Sequence, residues 1–135
     1  MALPVRAGNV LVVSSNPETL DGLTQYLSKA GVPSESRRSA NPLAELPRTL
    51  CALVAFPDDF LEHEISNYLF MVRTRRPDLS IVIVTRDPRT YAALTTVEGR
   101  PLDAVVLARP AFGWAILDAI RAALDARYGH TETLR

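Results

Sequence analysis

The segment CALVAFPDDF, residues 51–60, places two carboxylates, Asp58 and Asp59, directly behind an apolar run that reads as a buried strand. At such a strand end in an open α/β sheet, an acid normally points into the ligand crevice. Here the last strand position is Phe56, which has no oxygen nucleophile, and Pro57 stands behind it as a strand terminator. The acids therefore have two readings. One is a displaced acceptor at Asp58 or Asp59. The other, which we favour, is a capping-box variant, Asp59-Phe60-Leu61-Glu62, opening the next helix, because caps of this kind recur where strands hand over to helices. Ser14 and Ser15 follow the run VLVV, Thr85 follows IVIV, and Arg109 lies just beyond AVVL. A cation near a strand end is partly buried and needs a partner. Asp58, Asp59, Asp87 and backbone carbonyls are the candidates, and we expect a structural ion pair between Arg109 and Asp58 or Asp59. Arginine is a poor proton carrier, so Arg109 does not point to acid–base catalysis.

Other chemistries find no support in the sequence. His63 and His130 have no Cys or Glu beside them at a ligand spacing that another residue would complete, which argues against a metal site. The six glycines are scattered and form no phosphate-cradling loop. No serine sits in a nucleophile elbow, and no nucleophile–base pair ends a strand. The expectation is a non-enzyme with no catalytic residue and no cofactor. Arg86 with Arg89 forms an edge able to bind a small anion or nucleotide, while Arg73, Arg75 and Arg76 read as solvated charges at a helix end, where cations favour the dipole.

At 135 residues the chain fits one compact domain with a proper core. Apolar residues make up 47% and charged residues 22%, which excludes a disordered chain. A net charge of zero supplies no general field toward nucleic acid or an anionic membrane, so no direct contact with either is expected. The single cysteine, Cys51, lies inside an apolar run and reads as a small buried hydrophobe. The start, MALPVRAGNV, lacks a long apolar segment, and no run approaches the roughly 18 residues of a membrane span. A cytoplasmic location is the resulting expectation.

The apolar runs Val10–Val13, Ala52–Phe56, Ile81–Val84 and Ala104–Leu107 are continuous, as in strands buried on both faces of a parallel sheet. Ser34–Ala40 is polar and predicts an edge strand. Leu20, Leu23, Leu27 and Ala30 have helical spacing between Pro17 and Gly31; Leu61, Ile65, Leu69 and Val72 repeat it. A short helix is expected within Asn41–Leu50, another around Tyr91 and Leu94, and a last one from Trp114 to about Tyr128. Residues 1–8 and 129–135 read as tails around a domain at 9–128. The order is β-α five times, an α/β doubly wound parallel sheet of five strands.

With NVLVVSSNPETL at its start and VVLARPAF near its end, this (βα)5 chain resembles the receiver (CheY-like) domains of bacterial two-component response regulators, a flavodoxin-like fold. The resemblance implies an acidic pair after the first strand, a phospho-accepting Asp ending the third, a Thr or Ser ending the fourth, and a Lys-Pro ending the fifth. Three carboxylates would hold Mg²⁺, and the hydroxyl and ammonium would bind phosphate oxygens. On this chain those positions fall on Ser14 and Ser15, on Phe56, on Thr85 and on Arg109-Pro110. The aromatic switch position on the fifth strand falls on Val106. The resemblance is to a pseudo-receiver, in which Phe56 fills the space of metal and phosphate. It implies an interaction or self-association module whose partner is another protein or a second copy. Tyr91, Val106, Phe112 and Trp114 lie on or near the face that receivers use for dimers and targets.

Overall fold

Inside the continuous apolar runs lies a two-residue alternation that assigns every side chain to one of two helix layers. The computed structural model describes residues 9–41, 43–91, 96–97, 100–101 and 104–133. In chain order its elements are β1 (Asn9–Val13), α1 (Pro17–Lys29), β2 (Ser34–Arg37), β3 (Leu50–Ala55), a 3-10 turn at Pro57–Asp59, and α2 (Glu62–Arg75). There follow β4 (Ser80–Thr85), a single helical turn α3 (Pro88–Tyr91), β5 (Thr96–Val97), β6 (Arg100–Pro101), β7 (Ala104–Ala108) and α4 (Gly113–Thr133). The main sheet has the order β2-β1-β3-β4-β7 and every pairing in it is parallel. This is the doubly wound α/β architecture expected, with the chain reversing direction across the sheet between β1 and β3.

Val10, Val12, Ala52, Val54, Phe56, Val82 and Val84 face α1 and α4, where Leu20, Leu23, Leu27, Ile116, Leu117 and Ile120 close the layer. Leu11, Val13, Leu53, Ala55, Ile81 and Ile83 face the other way, against Ile65, Tyr68, Leu69 and Val72 of α2. A bulge interrupts the alternation at the start of β3: Asn9 pairs with Leu50 and Val10 with Ala52. Cys51 is the extra residue, so it turns to the same layer as Ala52 and is buried. At the head of α1, the Asn16 side chain accepts from the Glu18 and Thr19 N–H groups, with Pro17 following it. Gly31, at φ 82°, then takes the left-handed turn that releases the chain toward β2.

Three sequence expectations change. Among the described residues, 41–49 hold turns and no helix. Asn41 Oδ1 accepts from the Leu43 N–H, an Asx turn that competes with helix, and the nearby carbonyls are held from outside. Arg37 donates to the Glu45 carbonyl, Arg75 to that of Ala44, and Arg76 to those of Pro47 and Leu50. Arg75 and Arg76 are therefore staples for this segment, while Arg73 donates to the Pro77 and Leu79 carbonyls, so none of the three is only a solvated charge. After β4 the helix is one turn only, and a two-stranded antiparallel ribbon, β5 with β6, follows; Leu94 lies outside the described residues. Finally, α4 runs to Thr133, beyond Tyr128. A glycine such as Gly129 costs a helix only about 1 kcal/mol and does not by itself end one.

Removing one staple tests this account. Arg76→Ala should cost about 1–2 kcal/mol, the worth of its hydrogen bonds to two carbonyls. Amide exchange followed by mass spectrometry should accelerate across residues 44–50; unchanged protection there would mean that the segment holds itself.

Candidate functional site

The carboxyl ends of β1, β3, β4 and β7 converge on one crevice, and each contributes the residue that the sequence singled out. Ser14 follows β1, Phe56 and the 3-10 turn follow β3, Thr85 ends β4, and Arg109 follows β7. Pro57 does not exclude the acids from this crevice. It opens the 3-10 turn, whose N–H groups of Asp59 and Phe60 bond back to the carbonyls of Phe56 and Pro57. The turn swings both carboxylates over the strand ends, where their side chains are only 16% and 14% exposed.

Asp58 is held on every side. Its Oδ1 accepts from the Thr85 hydroxyl at 2.6 Å and its Oδ2 from the Arg86 N–H at 2.8 Å. Arg109 Nη1 lies 3.6 Å from Oδ2, as does Arg86 Nε. Burial alone would push this carboxyl up, but the Thr85 and Arg86 hydrogen bonds and the charges of Arg109 and Arg86 outweigh it. The Asp58 carboxyl is consequently held below its ordinary value. Thr85 also accepts from the Asp87 N–H at 3.1 Å, which fixes its hydroxyl to donate toward Asp58. Asp59 accepts a hydrogen bond from the Ser14 hydroxyl, and its backbone carbonyl accepts from Ser15 Oγ at 3.0 Å. Its Oδ1 lies 3.9 Å from Arg109 Nη1.

The expected pairing of Arg109 with Asp58 or Asp59 is thus present, and it reaches both. The capping reading of Asp59 is not. Helix α2 starts at Glu62 behind Leu61, which makes no side-chain cap, and Asp59 spends its carboxylate across the crevice. Phe56 is also placed differently from the expectation. As the next even-numbered position after Val54, its ring drops into the core layer of α1 and α4 instead of filling the crevice. There it lies under Arg109, whose guanidinium carbon is 5.9 Å from the ring centroid.

A divalent cation does not fit this donor set. Two guanidinium groups stand within 4 Å of the carboxylates, and the hydroxyls of Ser14 and Ser15 are turned toward Asp59. Mg²⁺, which sheds water reluctantly and prefers anionic oxygens, would have to displace both cations. Among the described residues, no group of three or more His, Cys, Asp or Glu side chains gathers as metal ligands. His63 is exposed on α2; the His130 side chain lies outside the described residues.

The remaining candidates separate. Tyr91 is 6% exposed and packs in the α2-side core, so it offers no surface. Burial first, then the charges of Glu62, Asp58 and Asp87, push its phenol above the usual value. Val106 is half-buried against the same core. Phe112 and Trp114 are 64% and 59% exposed and stack on each other, with ring centroids 6.3 Å apart and planes 11° from parallel. Arg86 is engaged with Asp58 through both its N–H and its side chain, while Arg89 is exposed. The sequence reading missed the backbone N–H of Arg86 as a site group, because no side-chain pattern reveals it. It also missed a cleft of about 360 Å³ between α1 and the start of α4, which Arg109 and Phe56 border.

No protein-family model matches the sequence, and no curated protein matches it. The architecture, however, is that of receiver domains. The response regulator receiver domain protein (CheY-like) from Methanospirillum hungatei superposes with a TM-score of 0.73 at 19% identity, over 91% of this chain and 98% of its own. The signal receiver domain of an HD domain-containing protein from Pseudomonas fluorescens gives 0.71 at 19% identity, over 90% and 98%. A response regulator receiver domain protein from Clostridium thermocellum gives 0.71 at 17%, over 89% and 96%. At these identities the likeness establishes a receiver-like fold. No helix among the described residues is long and apolar enough to cross a membrane.

The Asp58 cluster has a pH signature. A carboxyl held low in the folded state adds stability above its unfolded value, near 3.9. That stability disappears as pH falls through the lower folded value. Asp58→Asn should therefore lower stability at pH 7 by about 1–2 kcal/mol and flatten its decline below pH 4. Urea titrations of both proteins from pH 7 to pH 2 measure this; parallel curves would show that the Asp58 charge contributes nothing.

Proposed function

We propose that this chain is a phosphorylation-independent pseudo-receiver, a non-enzymatic module for protein–protein interaction or self-association in bacterial signalling or regulation. The observation that carries the proposal is the internal saturation of the crevice. Asp58 already binds the Thr85 hydroxyl, the Arg86 N–H and the Arg109 guanidinium, the groups that lie where a receiver would bind phosphoryl oxygens. Phe56, where the acceptor would stand, has no nucleophilic oxygen, and Ser14 and Ser15 replace the acidic pair. An acid built into the chain holds the strand ends together without a covalent modification.

The interaction role is supported by the exposed stacked pair Phe112–Trp114 at the head of α4. Large aromatic side chains are costly to leave in water and recur as interface anchors. With Tyr91 in the core and Val106 half-buried in the α2-side layer, the proposed face reduces to these two rings.

Two measurements test this reading. Incubation with acetyl phosphate and Mg²⁺, read by intact mass, should give no stoichiometric phosphoryl adduct; an adduct on Asp58 or Asp59 would refute phosphorylation independence. In sedimentation velocity at rising concentration, the wild type should self-associate, while Phe112→Ser/Trp114→Ser should remain monomeric with stability within about 0.5 kcal/mol, as expected of surface changes. Identical sedimentation of the two proteins would remove the aromatic pair as the self-association face.

A further inference from the structure

Beyond the interaction role, we propose that the cleft between α1 and the start of α4 is a binding site for a small carboxylate carried on an apolar, aromatic body. The cleft holds about 360 Å³, within the size range of small-molecule sites. Its floor and walls are apolar: Leu23 from α1, Phe56 after β3, Val84 from β4, and Ala111 and Ile116 around the start of α4. Tyr26 closes one end, its ring seated so tightly on Gly113 that a Cβ there would stand 3.0 Å from it. Arg109 supplies the charged end.

Two features of this cleft are unexplained by packing alone. The first is the state of Arg109. Its side chain is 26% exposed, and its buried Nη1 finds no hydrogen-bond acceptor among the described residues, since both carboxylates stand 3.6–3.9 Å away. With Nη1 turned to the two acids, the exposed part of this guanidinium, lying over the Phe56 ring at the edge of an apolar cleft, is suited to a carboxylate attached to a flat apolar group. The second is Gly22. It sits inside α1, where glycine costs about 1 kcal/mol relative to alanine. Nothing lies within 4 Å of where its Cβ would be, so no neighbour in the fold demands a glycine. Yet Gly22 forms part of the cleft wall, where a missing side chain leaves room for a ligand to approach the backbone.

The rings select the ligand class. The apolar walls reject a polyanion, and Glu18 at the mouth repels multiple negative charges. One carboxylate and one aromatic body match the one cation and the apolar floor.

3-Phenylpropionate is the probe and its uncharged amide is the control. At tenfold its dissociation constant, 3-phenylpropionate should raise the Tm of the wild type by about 3 °C or more, by mass action. The amide should give less than a third of that shift. Gly22→Phe, which puts a phenyl group where the ligand ring would lie and improves the helix, should melt at or above the wild type and show no shift. No shift in the wild type up to 10 mM of probe would overturn the proposal. Equal shifts from acid and amide would overturn the carboxylate class and with it the proposal. An equal shift in Gly22→Phe would place binding elsewhere and overturn it too. None of these outcomes depends on whether Asp58 or Asp59 is phosphorylated, so the ligand site and the pseudo-receiver reading fail separately.

Discussion

The Asp58 carboxylate gathers the polar groups at the ends of three neighbouring strands. It leaves the 3-10 turn after β3, takes the hydroxyl at the end of β4 and the next N–H, and faces the guanidinium that follows β7. Without it the buried Thr85 hydroxyl would lose its acceptor, at a cost of about 1–3 kcal/mol. The surrounding geometry follows from this. Asp87 N–H fixes the Thr85 hydroxyl, Ser14 and Ser15 turn to the neighbouring Asp59, and Arg109 settles over Phe56. The network contains more charge than a packed hydrophobic plug would, and it is held by short directional bonds. A crevice of this kind has one favoured arrangement, because moving any member strands another.

The sheet below sets where that network can form. Parallel strands buried on both faces leave only their ends free for polar chemistry. The alternation along β3 sends Phe56 into the α1–α4 layer, so the next polar positions available to the crevice are on the turn, not on the strand. The proline turns the chain back over the strand ends in one short step. A sequence with Asp in place of Phe56 would have put its acid on the strand side of that step.

Much of this was legible in the sequence. The apolar runs and the helical spacing after Pro17 and in Leu61–Val72 located four strands and two helices, and the polar Ser34–Ala40 was readable as an edge strand, which ends at Arg37. The Arg109 pairing was legible too, because a buried cation near a strand end restricts its partners to a few acids. The 41–49 segment was not. Its apolar content resembles a helix, but long-range arginines from β2 and α2 hold its carbonyls, and distance in sequence hides that competition. Asp59 was misread for a related reason. A cap and a cross-crevice bond use the same side chain at the same position, and only the third dimension shows which partner is nearer.

Strand β2 closes one side of the sheet, and its composition governs how readily another strand can add there. It is four residues long, it carries Glu35 and Arg37, and the Arg37 side chain reaches out to the Glu45 carbonyl. A short, charged border of this kind is a poor template for another strand, since an incoming chain would bury charge against few backbone bonds. Growth of the sheet from one molecule into the next is thereby discouraged at this border. The exposed Trp114 ring at the head of α4, by contrast, can be altered without disturbing a single backbone bond of the sheet.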